Sequence, residues 1–501
     1  MKQPGCAIGA DIGTTTVKAV AFDTSGHEIA RAEETLKLTH ADDGAAEQDP
    51  VEVFAAVSQT IGQAGRQAQA RGYAVERIGL SAAMHSLLPV DSADRPLMNA
   101  MTWMDTRAKE DARALWDSAE GRDLYARTGA PIHPMAPLPK LLWLRRVRPR
   151  VFESAARFVS LKEWVWWQWF GEWSVDASIA SATGLYNLRE GAWDRGALEL
   201  AHISADRLST IVPTTTTKTG ANGPWSAQAG INADAAFTIG ASDGVLANLG
   251  VGAIGDDQMV LTIGTSCAVR SGSAKPFTDL ATRSFCYVLD RDRFIVGGPS
   301  NSGGIVIDWL YHNILNERPT RNPIDPMDEQ SFLALMERAK GARPDADLIC
   351  LPYVAGERAP LWDASASAAC LGLHLEHTAA DVMRAAVEGI IMNAYWIASG
   401  LFESLGKPQR IISSGKVLEP EWIRRLTADV FGIPVQYRGA VDASVVGAVT
   451  LAEIATGVRS WEQVARPLTE DVSTIAPSGD DFYQRKYKRF RAIAELALNR
   501  G

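Results

Sequence analysis

The chain has little cysteine and none of it is paired. Five thiols, Cys6, Cys267, Cys286, Cys350 and Cys370, are scattered over 501 residues with no Cys-x-x-Cys. That argues against a disulfide framework or a zinc site and fits a reducing, cytoplasmic setting. Blocks of like charge are also missing. The net charge is −9 with both signs dispersed, so no nucleic-acid partner is expected, although a local basic cleft stays open. No apolar run approaches the roughly 18 residues of a membrane span, so no membrane partner is expected. The first residues show no basic segment leading into an apolar one, so no signal peptide is expected either. What remains is the composition of a globular chain, 46% apolar and 22% charged, long enough for two or more domains.

What the sequence does contain is a phrase written twice. Ala10-Asp11-Ile12-Gly13-Thr14-Thr15-Thr16 returns 251 positions later as Leu261-Thr262-Ile263-Gly264-Thr265-Ser266-Cys267. Each copy is an apolar strand-like run breaking into a Gly-Thr turn. Glycine lets a backbone approach closely, and hydroxyls with free N–H groups donate to phosphate oxygens. Two such turns predict two similar lobes gripping one polyphosphate. A carboxylate beside a phosphate needs a cation between them, which makes Asp11 a candidate for Mg²⁺, directly or through water. Thr262 stands where the first copy has Asp11, so the pair is asymmetric. The plainer reading is a β-hairpin with a threonine-rich turn.

Periodicity supplies the rest of the frame. Strands are expected from Cys6 with Ile8, Ala10 and Ile12 on one face, over Val17 to Phe22, and over His27 to Ala32 after the turn Asp23-Thr24-Ser25-Gly26, an antiparallel meander. A helix runs from Asp49-Pro50 to about Ala70, and a strand over Arg77 to Ser81. Helices and proline-rich loops fill 100–170. Within them Trp164 to Phe170 reads as a packed helix, or alternatively as an aromatic wall beside a sugar. A strand over Phe237 to Gly240 leads into Ala241-Ser242-Asp243-Gly244. Gly250, Gly252 and Gly255 read as a hinge. Further strands are expected over Gln258 to Cys267, Phe294 to Gly298, Asp347 to Leu351 and Arg410 to Ser413. Thr378 to Asp381 is a capping-box start of a helix reaching about Ser404, and Glu421 to Phe431 is another helix. The basic segment with Arg485, Lys486, Lys488, Arg489 and Arg491 reads as a solvated helix face.

Four further constellations bear on chemistry. Asp243, at a strand end before a helix, is an N-cap or a proton acceptor held ionised at a helix N-terminus. Met84 and His85, with Asp105 and Arg107, could hydrogen-bond a polyol or a sugar acid. A structural histidine and a structural salt bridge are equally compatible. The glycine-rich run Gly297 to Gly304 is a nucleotide surface or an ordinary loop. Gly356 to Trp362 flanks a proline turn with charge, and spacing gives it no role.

In this order the phrases resemble the FGGY family of carbohydrate kinases, within the actin-like superfamily, from about residue 6 to about 455. They are Asp11-Ile12-Gly13-Thr14-Thr15, Ser242-Asp243-Gly244, Thr262 to Ser266, Asn301 to Gly304 and Gly356 to Pro360. The resemblance implies an α/β fold of two actin-like (ribonuclease H-like) domains about a cleft, an N-terminal sugar-binding domain (1–248) and a C-terminal nucleotide-binding domain (249–501). It implies ATP and Mg²⁺ as cofactors and Asp243 as catalytic base, with Asp11 on the metal. Gly13, Thr14, Thr15, Thr16 and Lys18 would form the first phosphate loop, with Gly264, Thr265 and Ser266 in the second and Gly304 on the nucleotide. Met84 and His85 match a sugar-contacting pair. The phrases around His85, Arg107, Thr183 and Glu357 are most similar to gluconokinases of this family, so the expected reaction is D-gluconate to 6-phospho-D-gluconate. Xylulokinase or another ketose or polyol kinase is the alternative, and an actin-like ATPase serving a protein partner a remote one. Gly415-Lys416 departs from the family's run of glycines under the adenine. Lys416 is expected along the nucleotide or reshaping the adenine pocket. A homodimer is the assembly expected.

Overall fold

The structure, a computed structural model, describes residues 3–221, 225, 228–315, 326–345, 347–439, 442–464 and 473–498. It opens with the expected meander: β1 (Gly5–Ile12), β2 (Thr16–Asp23) and β3 (Glu28–Thr35), each antiparallel to the next. The chain then enters α1 (Pro50–Ala70), started by Asp49, whose carboxylate accepts the Val51 and Glu52 amides, with Pro50 preset for the first turn. β4 (Ala74–Ala82) returns parallel to β1, longer than the sequence pattern indicates. β5 (Ala236–Ser242) joins beside it, giving the six-stranded order Thr217–Lys218, β5, β4, β1, β2, β3.

Between β4 and β5 lies a mostly helical excursion with its own apolar core, including Leu87, Tyr125, Leu141 and Phe158. The tryptophan-rich stretch is a helix, α2 (Leu161–Phe170), opened by a Ser160/Glu163 capping box. Trp164, Trp166 and Trp169 are buried in the first lobe, and Trp167 stacks on Trp173 with centroids 5.0 Å apart. The packed-helix reading is the one observed.

The chain crosses to the second lobe through α3 (Asp243–Gly250). There the opening pattern is rebuilt. β6 (Gln258–Ile263) pairs antiparallel with β7 (Cys267–Ser273), so the strand expected to reach Cys267 breaks at the Gly-Thr turn, as the first copy does. β8 (Phe285–Asp290), β9 (Arg293–Ser300), β10 (Arg410–Ser414) and β11 (Val435–Tyr437) complete the order β8, β9, β7, β6, β10, β11, Thr474–Ile475. β10 is parallel to β6 as β4 is to β1. α4 (Gly304–Trp309) follows β9.

α5 (Ala379–Leu405) begins at the Thr378/Asp381 capping box and forms the spine of the second core. It corrects one expectation. By length and composition this helix could cross a membrane, but most of its apolar stretch is buried inside the lobe. The sequence hides it because Asp381, Arg384 and Glu388 interrupt the run; Arg384 and Glu388 pair at 3.0 Å.

α6 (Ala443–Ala455) belongs to the second half of the chain yet packs on the first sheet and on α3. A Cβ at Gly9 would lie 2.3 Å from the Val445 carbonyl oxygen, and one at Gly79 2.0 Å from that of Ala448. Gly250 and Gly447 make matching close approaches to Ala443 and Leu246. Gly250 is thus a packing contact rather than a free swivel. The last helix, α7 (Phe482–Leu498), is basic but not wholly solvated: Lys486 is buried and bonds Glu388 at 2.5 Å.

Candidate active site

The duplicated turns set equivalent positions side by side. In the β1/β4 register Asp11 is opposite Ser81, and in the β6/β10 register Thr262 is opposite Ser414. Ser81 donates to Asp11 Oδ1 at 2.6 Å, and the Thr262 and Ser414 hydroxyls meet at 3.1 Å. One lobe therefore holds a carboxylate where the other holds a hydroxyl pair. Ser444, at the start of α6, donates to Asp11 Oδ2 at 3.0 Å. Burial pushes the Asp11 carboxyl above its ordinary value, and the two serine hydroxyls and Lys18 oppose that.

The turns close on themselves. The Gly13 amide donates to the Thr16 carbonyl at 3.1 Å, and the Gly264 amide to that of Ser266 at 3.0 Å. Thr15, Thr265 and Ser266 are left exposed, while Thr16 is half-buried. Thr14 lies in a narrow cleft with Gly13, Gln48, Met84 and Trp103, and its hydroxyl accepts the Trp103 indole N–H at 2.9 Å. Lys18 Nζ donates to Asp442 at 3.1 Å, tying the first hairpin to the start of α6.

The glycine-rich loop after β9 is laid against the second turn. The Gly304 amide donates to the Gly264 carbonyl at 2.7 Å, and that of Ile305 to Thr265 at 3.1 Å. A Cβ at Gly304 would lie 2.8 Å from the Gly264 oxygen, whereas one at Gly264 would meet no atom within 4 Å. The open side of this turn can thus receive a ligand. Gly415, at φ +99°, backs onto Ile263, whose carbonyl oxygen would lie 2.4 Å from a Cβ at this position. Lys416 turns away, donating to the Met327 carbonyl at 3.0 Å with its ammonium 4.8 Å from the Phe332 ring centre.

Asp243 is the first residue of α3, with Ser242 in the cap position and no side-chain cap bond there. Its Oδ1 accepts the Gly244 amide at 2.6 Å. The carboxylate lines a cavity of about 190 Å³ together with Met84, His85, Trp103, Ser266 and Tyr287. Burial, then the Asp11 charge, pushes its pKa up to about 6, against the pull of the Gly244 amide, Arg270 and Lys162. His85 is buried at φ +71°, and its Nδ1 lies 2.8 Å from the Ala182 carbonyl oxygen. Burial and Lys140 hold its pKa down to about 3, so the ring is neutral. Nδ1 must carry the proton to bond that carbonyl, which leaves Nε2 as an acceptor for a hydroxyl.

Asp105 and Arg107 do not line this cavity. Arg107 bonds Asp105 at 2.6 Å and Glu47 at 2.5 Å, and its guanidinium lies over Trp143. Sequence reasoning does not single out Arg270, Phe285, Tyr287 or Lys140. Arg270 and the stacked rings of Phe285 and Tyr287, 4.6 Å apart, line the cavity from β7 and β8. Lys140 lies behind it and donates to three carbonyls, those of His85, Thr102 and Met135, at 2.6–2.8 Å. Glu357 is the anchor of the Gly356–Trp362 phrase. It accepts Ser300, Ser302, Asn393 and the Asn301 and Arg358 amides, and so places Arg358 at the cavity wall.

Among the described residues no group of three or more His, Cys, Asp or Glu side chains could enclose a metal. A single hydrogen-bonded carboxylate with spare lone pairs fits Mg²⁺ held mainly by waters and phosphate oxygens.

The chain is similar to known proteins over most of its length. The model for the N-terminal domain of the FGGY family of carbohydrate kinases matches residues 6–250, and that for its C-terminal domain residues 259–456. A gluconokinase of Bacillus subtilis is 39% identical over 91% of this chain and 89% of its own length. A gluconokinase of Bacillus licheniformis is 37% identical over 98% and 94%. Two solved structures from Lactobacillus acidophilus, one described as a xylulose kinase and one as a gluconate kinase, both superpose with a TM-score of 0.90. Each is 31% identical, covering 99% of this chain and 98% of the other. The expected two-domain actin-like, ribonuclease H-like fold is the fold observed.

Proposed function

We propose, from the premise that the chain belongs to the FGGY family of carbohydrate kinases, that it transfers the γ-phosphoryl group of ATP to the terminal hydroxyl of D-gluconate, giving 6-phospho-D-gluconate. Family membership makes it a sugar kinase; the sugar acid and the residue roles are our reading. The observation that carries it is the cavity that Asp243 shares with Ser266 of the second turn and with Met84 and His85. A proton acceptor, a phosphate-side turn and polyol contacts are what transfer to an alcohol requires in one place. Two guanidiniums, Arg270 and Arg358, also line it, which favours an anionic substrate over a neutral one.

In this reading residues 1–248 bind most of the sugar and 249–501 the nucleotide, with Arg270 and Arg358 reaching the sugar from the second part. Asp243 accepts the proton of the attacking hydroxyl, and His85 Nε2 accepts from a second hydroxyl and fixes the chain. Gly13 to Thr16 and Gly264 to Ser266 face the phosphates from opposite lobes, with Gly304 and Gly415 shaping the nucleotide side. Mg²⁺, held near Asp11, supplies charge neutralisation at the phosphates when bound. Lys18 and Lys416 serve this site through Asp442 and Phe332 rather than by a free ammonium.

The test is ADP release with ATP and Mg²⁺ against gluconate, xylulose, ribulose and glycerol. We expect kcat/KM for gluconate to exceed that for each neutral substrate by about 100-fold, the scale set by one satisfied or orphaned buried charge. Preference for a ketose would replace gluconate by xylulose chemistry at the same site.

A further inference from the structure

Among the described residues, Arg270 and Arg358 line the Asp243 cavity and Lys140 and Lys162 lie close behind it; three of these four already have partners. Lys140 bonds three carbonyls. Lys162 bonds Asp176 at 2.8 Å and the Ala241 carbonyl at 3.1 Å. Arg358 bonds the Asn301 side chain at 2.8 Å and the Ser300 carbonyl at 3.2 Å. Arg270 is different: it lines the cavity, and its Nη1 is buried without a hydrogen-bond partner. The Tyr287 hydroxyl, on the same cavity, is also buried and unpartnered. A buried guanidine N–H without an acceptor is costly, and here it sits with a second unmet donor on one cavity, where a single anionic ligand would satisfy both.

We infer that Arg270, with the Tyr287 hydroxyl as second donor, is the subsite for the carboxylate of the sugar acid. This rests on the reading of the substrate given above. Alternation along β7 puts Ala268 and Arg270 on one face, continuing from Ser266 in the turn, and all three line the cavity. Four residues of extended chain advance about 13 Å, so the Arg270 backbone lies well beyond the phosphate turn. The guanidinium returns toward α3, where a Cβ at Gly244 would lie 3.3 Å from its Nε. The guanidinium thus lies on the Asp243 side of a compact cavity, and an open-chain acid with its terminal hydroxyl at Asp243 brings its carboxylate to this group by bending back within that cavity. A planar carboxylate takes two parallel N–H bonds from a guanidinium, which a hydroxymethyl group cannot. Arg270 therefore selects acid over polyol.

The experiment compares the parent enzyme with Arg270→Met, Arg270→Lys and Tyr287→Phe. Each is assayed on D-gluconate, on D-glucitol as substrate or competitive inhibitor, and for the KM of ATP. Gluconate protection against thermal unfolding without nucleotide is measured alongside. Arg270→Met deletes a guanidinium with an unmet N–H and should fold; it also removes a charge that lowers the Asp243 pKa, so its kcat is compared with the parent's above pH 7.5. We expect its gluconate KM to rise about 100-fold, glucitol affinity and ATP KM to stay within about threefold, and protection by gluconate to vanish. Arg270→Lys should recover part of the loss, and Tyr287→Phe should lose less than Arg270→Met. An equal loss for gluconate and glucitol, or a raised ATP KM with unchanged gluconate affinity, overturns the subsite; the latter would mean that Arg270 meets the phosphoryl group. If the parent ignores gluconate and phosphorylates a ketose, the substrate reading has failed instead.

Discussion

Asp243→Asn should abolish transfer while leaving a folded, nucleotide-binding protein. The amide keeps the shape of the carboxylate and cannot take a proton. General-base catalysis is worth about 10²–10⁴-fold, so kcat should fall on the order of 10³-fold with the KM of ATP little changed. The parent should also show an acid limb. As the proposed base Asp243 must be ionised, and its pKa is pushed up to about 6. The logarithm of kcat/KM should rise with unit slope below about pH 6 and level off above it, and the residual rate of Asp243→Asn should lack this limb. Coupled assay of ADP release between pH 4.5 and 8 reads both. A variant retaining more than a tenth of kcat removes Asp243 from the mechanism.

Stability separates this loss from misfolding. The folded pKa of Asp243 lies above its unfolded value near 3.8. The native state therefore binds more protons between those values, and the charged form weakens folding at neutral pH. A shift of about two units corresponds to at most about 3 kcal/mol. Asp243→Asn should accordingly resist urea at pH 7 at least as well as the parent. A buried carboxylate that weakens the fold is the expected companion of a functional site.

The legible parts of this molecule are those carried by local chemistry. The β1–β2 hairpin, the Asp49 and Thr378 helix starts, and the return of the Gly-Thr turn all follow from neighbouring residues. Even the difference over Gln258 to Cys267 is local: the glycine that ends β1 at Gly13 also ends β6 at Gly264, and a single strand across both merges the two arms of the hairpin. What stays hidden depends on partners far along the chain. Asp105 and Arg107 offer the right groups for a sugar acid, but Glu47, 60 residues upstream of Arg107, claims the guanidinium. Arg270 gives a faint signal, lying two residues past Ala268 on the face that leaves the turn. Nothing nearby shows that its guanidinium would lack an acceptor. Asp243 is readable as a cap or a base, and only the helix register shows that Ser242 occupies the cap position.

Lys140 shows why a residue that touches no substrate can control the site. It is a lone cation in the apolar run Leu138-Pro139-Lys140-Leu141-Leu142, fully buried, and its ammonium joins the backbones at His85, Thr102 and Met135. His85 and Met135 line the Asp243 cavity, and Thr102 lines the adjoining cleft. Lys140→Met would strand three buried carbonyls, each costing about 1–3 kcal/mol, while relieving the desolvation of one ammonium. We expect a net loss on the order of 3 kcal/mol in urea unfolding, with a gluconate KM raised more than tenfold and the KM of ATP nearly unchanged. The pH dependence reads how far the three carbonyl bonds offset the burial of the ammonium. Burial pulls the Lys140 pKa down to about 7, far below its unfolded value of 10.5. Between these values the unfolded chain holds the extra proton, so this group makes the parent more stable as pH rises, by up to about 1.4 kcal/mol per unit. Lys140→Met should lack that rise. If both proteins show the same slope from pH 7.5 to 10, Lys140 keeps its ordinary pKa in the fold, and the three carbonyl bonds offset the burial of the ammonium in full.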